Sequence, residues 1–439
     1  MQRVADYFNF RQLEAGRGQV GAGFWRREGL AGATTFLAMA YISIVNPAIL
    51  SEAGMDFGAV FVATCLAAAF GSIAMGLLGN YPVALAPGMG QNAFFTYAVV
   101  LGMGHPWQTA LGAVFLSGIL FVALSLLPVR EWLINAIPRN LKLGISAGIG
   151  LFLGIIALSK AGVVVDNPAT LVSLGDLTSF NALMCLGGFA LIAALAQRRV
   201  TGAVVIGILA VSVIGWLSGA VEFKGLVSLP PSPAPVLLQL DIAGAFEVSM
   251  VTAILTMLLV DVFDTAGTMV GVANRAQLVR ADGSLPRLGK ALLADSGATV
   301  FGALMGTSST TSYIESAAGV EAGGRTGMTA IVCGLLFLLC LLFAPLAQSV
   351  PACATAAALL FVACLMARSL ADVDWTDHSE SAPAVITALA MPLGYSIADG
   401  IGLGFISYAV IKVLNGQVKS CPPVVYLVAA IFALKFGFL

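Results

Sequence analysis

Charge is what this sequence has least of. Asp, Glu, Lys and Arg together make up 10% of its 439 residues, against about 25% in ordinary globular domains. That leaves too little polar surface to wrap a water-soluble core of this size. Histidine is almost absent. The two present, His105 and His378, are expected in loops, so neither reads as a buried proton relay. The seven cysteines form no CxxC pair and six of them lie in apolar runs. They read as small hydrophobes, and neither a disulfide framework, a metal site nor any cofactor is expected. A short apolar leader with a cleavage site is also missing. The N-terminal segment is polar and Arg-rich and is not read as a signal peptide.

What fills the chain instead is apolar. Hydrophobic residues reach 59%, in runs long enough for a bilayer, which takes roughly 20 helical residues. The 49 glycines suit close helix packing in lipid. Candidate spans are 29–51, 57–79, 82–102, 106–127, 139–160, 180–197 and 201–219, then 246–270, 288–306, 307–321, 326–347, 352–368, 381–395 and 398–415. A last apolar run, 422–438, makes the count fourteen or fifteen. A Pro-rich stretch, Leu229 to Pro235, separates the two sets. Threading the chain with its N-terminus inside places 18 of the 21 Lys and Arg residues on one side. They run from Arg3, Arg11, Arg17, Arg26 and Arg27 through Arg130, Arg139, Arg198, Arg199 and Arg280 to Lys419. The positive-inside rule then predicts a cytoplasmic N-terminus in an inner or plasma membrane.

The two halves have matching layouts. Each opens with a long span and reaches a broken one about 60 residues on, the separation read from the span bounds. The first break reads Val83-Ala84-Leu85-Ala86-Pro87-Gly88-Met89-Gly90-Gln91-Asn92-Ala93, and the second Ser308-Ser309-Thr310-Thr311-Ser312-Tyr313-Ile314-Glu315-Ser316. Seven spans per copy is odd, so the second copy enters from the opposite side. Inverted repeats with broken helices mark secondary transporters. Residues 83–87 and 307–311 are therefore expected side by side near the bilayer centre, as short strand-like segments whose half-helices point at one cavity.

Charges inside spans are costly and default to function. Asp261 and Asp264 are three apart and share a helix face. With no basic partner nearby in sequence, at least one of the pair is expected to hold a proton near neutral pH and to hydrogen-bond a heterocycle. Glu315 falls just inside the second half-helix, where unpaired N–H groups and a positive dipole end meet it; capping is the simpler role. Asn92 takes the comparable place in the first. Its amide both donates and accepts, which suits the edge of a ring, although an interhelical bond is the plain alternative. Phe94 and Phe95 offer a stacking face or ordinary packing, and Gly88 and Gly90 allow close backbone approach. Glu321 and Arg325 are spaced as an i,i+4 ion pair, Asp295 is mid-span and ambiguous, and Asp399 is expected to cap a half-helix.

The run Leu85 to Phe95 resembles the purine-permease signature of the AzgA-like branch of the nucleobase/ascorbate transporter superfamily. Asp261 to Thr268, Gly306 to Val320, Ala322 to Gly327 and Met391 to Ile401 are similar to its other motifs, in order and over essentially the whole chain. The resemblance implies an all-α polytopic membrane protein with fourteen transmembrane segments in two inverted seven-helix repeats. It implies a core domain (29–127 and 246–347) that holds the base and a gate domain (128–225 and 348–439), after a cytoplasmic segment 1–28. It further implies elevator-like, proton-coupled uptake of adenine, guanine or hypoxanthine and no enzymatic activity. The substrate-binding set carries over to Asn92, Asp261, Asp264 and Glu315, with Gly90 and Phe94 beside them, and proton coupling to Asp261, Asp264 or Glu315. Gln91 stands where Leu is expected, Ser309 and Ser312 vary the second motif, and Gly394 replaces a Thr. The partners expected are a purine nucleobase, a proton and the lipid bilayer; a homodimer is allowed and nucleic acid is not expected. An anion exchanger or channel on the same fold is the competing reading, but it calls for a basic residue at the midplane. An intramembrane aspartyl protease would need its acids on different helices.

Overall fold

A computed structural model describes residues 7–8, 23–127, 137–279 and 285–438. Arg3, Arg11, Arg17, Arg130 and Arg280, on which part of the orientation argument rests, lie outside the described residues.

The apolar runs become helices. In chain order they are α1 (Phe24–Met39), α2 (Ile42–Leu50) and α3 (Phe57–Ala74), then strand β1 (Leu85–Pro87) and α4 (Met89–Ala93), which continues in wider π-helical turns over Phe94–Gly102. Next come α5 (Trp107–Leu126), α6 (Arg139–Lys160), a hairpin of β2 (Val164–Asn167) and β3 (Leu171–Leu174), α7 (Phe180–Gln197) and α8 (Ala203–Leu217). The second half runs α9 (Val248–Arg275), α10 (Leu288–Met305), β4 (Thr310–Ser312), α11 (Ser316–Glu321) and α12 (Gly327–Cys340). It ends with α13 (Ala352–Ala367), α14 (His378–Leu393), α15 (Ile397–Leu414) and α16 (Pro423–Phe438). Among the described residues nine helices are long and apolar enough to cross a membrane, and Ala203–Leu217 and Pro423–Gly437 are shorter apolar helices. The chain is a multi-pass membrane protein. His378 opens α14 rather than lying in a loop, because Asp377 caps that helix through the Ser379 N–H.

The order strand, short helix, long helix occurs once in each half, and the two strands meet. β1 and β4 pair antiparallel, with Leu85 opposite Ser312, Ala86 opposite Thr311 and Pro87 opposite Thr310. Irregular backbone in a membrane must find internal partners, and these segments do. Leu85 N donates to Ser72 Oγ, Gly88 N to Ser309 O, Tyr313 N to Ala84 O and Ala84 N to Ser316 Oγ. A Cβ on Gly88 would stand 2.8 Å from the Thr311 methyl carbon, so a glycine is what lets the strands close up.

Helices pack in two sets. α1 to α5 and α9 to α12 surround the strand pair: α12 lies on α1 and α3, α10 on α3 and α5, and α9 on α5 and β4. α6, α7, α8 and α13 to α16 form the other set, with α6 against α13 and α14, and α15 against α14 and α16. α16 is further fixed by Lys435, whose Nζ lies 2.7 Å from Asp399 Oδ1. The sets touch where α2 meets α13, α9 meets α15 and α4 meets α6. There a Cβ on Gly90 would stand 2.6 Å from Ile149 Cγ2.

Candidate functional site

The strand crossing gathers the polar residues of the membrane interior. Thr307, Ser308, Ser309 and Thr310 are fully buried, as are Asn46, Asn92 and Asp295. Asn46 Nδ2 donates to Thr64 Oγ1 at 2.7 Å and to Thr307 Oγ1 at 2.8 Å. The Ser308 hydroxyl donates to Asn92 Oδ1, which leaves the Asn92 amide nitrogen buried without a partner. An unmet buried donor costs ~1–3 kcal/mol. It is therefore either a standing loss or a place for a ligand acceptor.

Glu315 sits at the N-cap position of α11 but makes no side-chain capping bond. Its Oε1 instead accepts from Tyr41 Oη at 2.7 Å. Tyr41 stands at the joint between α1 and α2, where the helix turns before Pro47. Both residues line a cavity of about 500 Å³, within the range typical of small-molecule sites, whose walls include Thr34, Ala38, Gly202 and Val362. Helices of both packing sets thus border it. Arg199 is the lone cation among its lining residues and is exposed.

The two acids of α9 diverge, and neither is among the residues that line this cavity, so the structure does not bring Asp261 to it as the resemblance implied. Asp264 is exposed, in electrostatic reach of Glu315. Asp261, one turn earlier, is buried and turns to α10, where Thr299 Oγ1 lies 3.0 Å from its Oδ2. Asp295 joins this buried network, accepting from Thr265 Oγ1 at 2.6 Å and Ser312 Oγ at 3.3 Å. Gln91 reaches the same helix, its Nε2 donating to Met257 O at 2.9 Å. Phe94 and Phe95 are packed into the core, with Phe94 also bordering a separate pocket of about 410 Å³ beside Tyr395 and Lys435.

Two spacing-based expectations fail. Arg325 does not pair with Glu321: α11 ends at Glu321, so the four-residue spacing no longer spans one helical turn. Arg325 donates to the carbonyls of Val320 and Gly324, and Glu321 pairs with Arg275 at 3.0 Å. Asp399 does not cap α15; Ser396 does, accepting from the Asp399 N–H, while the carboxylate holds Lys435.

Residues 26–403 match the Xan_ur_permease family, described as Permease family. The chain is 51% identical to adenine permease AdeP of Escherichia coli, covering 94% of this chain and 93% of that protein. It is 52% identical to a putative permease of Methanocaldococcus jannaschii, over 100% of this chain and 99% of that one. With guanine/hypoxanthine permease PbuG of Bacillus subtilis it shares 47% identity over 94% of this chain and 97% of that protein. The chain belongs to this permease family, within the nucleobase/ascorbate transporter superfamily. A permease moves its substrate without converting it. The fold is similar to the transmembrane domain of a cyanobacterium bicarbonate transporter, BicA: TM-score 0.65 at 14% identity, over 86% of this chain and 98% of that one.

Sequence reasoning missed Tyr41 and Glu28 of this permease, among others. Tyr41 looked like packing inside an apolar run, and nothing local marks its tie to Glu315. Glu28 looked like part of a charged cytoplasmic segment. It is fully buried and accepts from Thr326 Oγ1 at 2.9 Å, Thr329 Oγ1 at 2.6 Å and the Arg325 N–H at 3.1 Å. A single acid following two arginines at the start of a span was the available signal. At the other end of the first helix, Glu52 pairs with Lys160 of α6 and accepts from Tyr97 Oη at 2.7 Å.

Proposed function

We propose that the permease takes up purine nucleobases of the adenine, guanine and hypoxanthine class together with protons, its N-terminus being cytoplasmic. The observation that carries this reading is Glu315. It is a carboxylate held by Tyr41 at the wall of a cavity between the two helix sets, in a chain half-identical over most of its length to an adenine permease. A carboxylate accepts two ring or amino N–H groups of a purine, and the Asn92 amide has a free donor for a ring nitrogen or carbonyl. The set around the strand crossing acts as the core that carries the base, and the set built on α6 and α13 as the gate it moves against. Gly90 against Ile149 is a smooth contact suited to sliding of an elevator-like kind.

The energies suffice. One charge moved through 100 mV yields ~2.3 kcal/mol and half a pH unit adds ~0.7 kcal/mol. Tenfold accumulation requires ~1.4 kcal/mol, so one proton supports roughly a hundredfold. In proteoliposomes an inward proton gradient is expected to drive transient accumulation of labelled hypoxanthine or adenine. Accumulation that needs Na⁺, or uptake indifferent to every ion gradient, would overturn the coupling. The competing anion-exchange reading draws on the BicA-like fold. It is disfavoured by the carboxylate at the cavity wall, and bicarbonate competition for uptake separates the two.

A further inference from the structure

The hydroxyl of Thr299 is asked to do more than one proton allows. It lies 2.8 Å from Thr310 O and 3.0 Å from Asp261 Oδ2, and it accepts from Thr310 N at 3.2 Å. A threonine has one hydroxyl proton to give. If it goes to the Thr310 carbonyl, the shorter contact, Asp261 can bond Thr299 only as the donor, that is, as a neutral acid. If it goes to Asp261, the strand carbonyl loses its side-chain partner. The other carboxyl oxygen of Asp261, Oδ1, is buried without any partner. An ionised carboxylate would therefore be left with one shared donor at a buried position, which is costly.

We propose that Asp261 is a positioning residue that carries the transport proton, its protonation deciding whether Thr299 holds strand β4. This rests on the nucleobase reading above and deepens it. β4 leads into α11 and carries Glu315 three residues beyond its end. With Asp261 neutral, the acid donates to Thr299, Thr299 donates to Thr310 O, and Glu315 is presented to the cavity in register. When Asp261 gives up its proton, the Thr299 hydroxyl turns to the carboxylate and the strand is released. The proton leaves to bulk water on one side, Asp264 being the nearest exposed acid one turn along the helix, and a proton from water on the opposite side restores the neutral acid.

The titratable groups facing Asp261 are Asp295 on α10 and Asp264 on its own helix. α5, packed against the same helix, has no ionisable side chain. α15 and α16, also packed there, bring Asp399 with Lys435 and Lys412 with Glu380, already paired. Lys142 of α6 stands over Phe263, 5.6 Å from its ring centroid, and Tyr313 and Glu315 follow β4.

The test is hypoxanthine and adenine affinity of the purified full chain between about pH 6 and about pH 8. Linkage to one proton tightens binding by at most tenfold for each unit of falling pH. The wild type is expected to weaken as pH rises. Asp261→Asn supplies a permanent donor to Thr299, so its affinity is expected to stay flat across that range at the acid-side level of the wild type, and a pH gradient is expected no longer to drive accumulation in vesicles. Thr299→Ser is expected to keep the wild-type slope and Thr299→Val to lose it. This second pair decides the matter should Asp261→Asn fail to fold. A wild-type slope in folded Asp261→Asn, or complete loss of binding by that folded variant at every pH, would overturn the proposal. A wild type that binds purines with no slope refutes the inference alone, whereas one that binds no purine takes the nucleobase reading with it.

Discussion

In the first broken span β1 leads into five α-helical residues and nine more in wider turns; in the second β4 leads into six residues and stops. Both strands belong to the same sheet, and each half-helix carries a polar side chain that is bonded to the opposite half. The backbone is thus repeated while the chemistry is not. The longer half-helix supplies an amide, Asn92, already tied to Ser308 of the other repeat. The shorter one supplies a carboxylate, Glu315, tied to Tyr41 at the joint of α1 and α2. Each polar group is held by a residue from the opposite half. The two repeats are therefore tied to each other through these groups, and only the second carries a carboxylate at that place.

The sharpest way to break this comparison is to remove the charge. Glu315→Gln is expected to weaken purine binding by ~2–3 kcal/mol, since charged hydrogen bonds carry about 1.5–3 kcal/mol. Isothermal titration at neutral pH measures it, and affinity within about threefold of wild type would mean the asymmetry is ornamental. Next in size is Glu28→Gln, which removes the charged acceptor that holds Thr326, the residue capping α12, and anchors the loop after the short half-helix. Thermal unfolding in detergent is expected to show a loss of ~1.5–2 kcal/mol of stability with nearly unchanged affinity. Unchanged stability would show that the short half-helix needs no anchor there.

Asn92→Ala tests the amide side. Loss of one neutral hydrogen-bonding group predicts ~1–1.5 kcal/mol weaker binding in a folded protein. An effect as large as that of Glu315→Gln would make the two half-helices equal partners. The smallest change is expected from Gln91→Leu, which gives up the bond to Met257 O. Overall affinity should move by less than ~1 kcal/mol, and competition by a panel of bases should show any shift in preference.

The apolar runs made most helices legible, because a bilayer demands long uninterrupted stretches and leaves little room for alternatives. The strand in the second half was less legible than the first. Pro87 and Gly88 punctuate one break, whereas the run Thr307 to Ser312 offers six similar hydroxyl residues, and only the pairing reveals that Thr310–Ser312 form the ladder while Ser308 serves Asn92. Asp261 and Asp264 looked equivalent because spacing says which residues share a face, not which neighbour that face meets. Thr299 and Tyr41 were hidden for the same reason, and Asp295 stayed ambiguous. Their partners lie many residues away, and a lone hydroxyl in an apolar helix carries no local sign of what it touches.

Of the ion pairs Glu52–Lys160, Arg275–Glu321, Lys412–Glu380 and Lys435–Asp399, only the first joins the two helix sets. It lies at the end of α6 and just past the end of α2, at the opposite end of the continuous Phe24–Ala53 helix from the cavity that Thr34 and Ala38 line. A joint made of charge answers to the medium around it. Salt on that face screens the pair and favours the separated arrangement of the two sets, while salt on the other face does not reach it. Under the proposed movement of core against gate, the permease thereby acquires a one-sided sensitivity to ionic strength, in which the surroundings on one face bear on how firmly the two sets are joined.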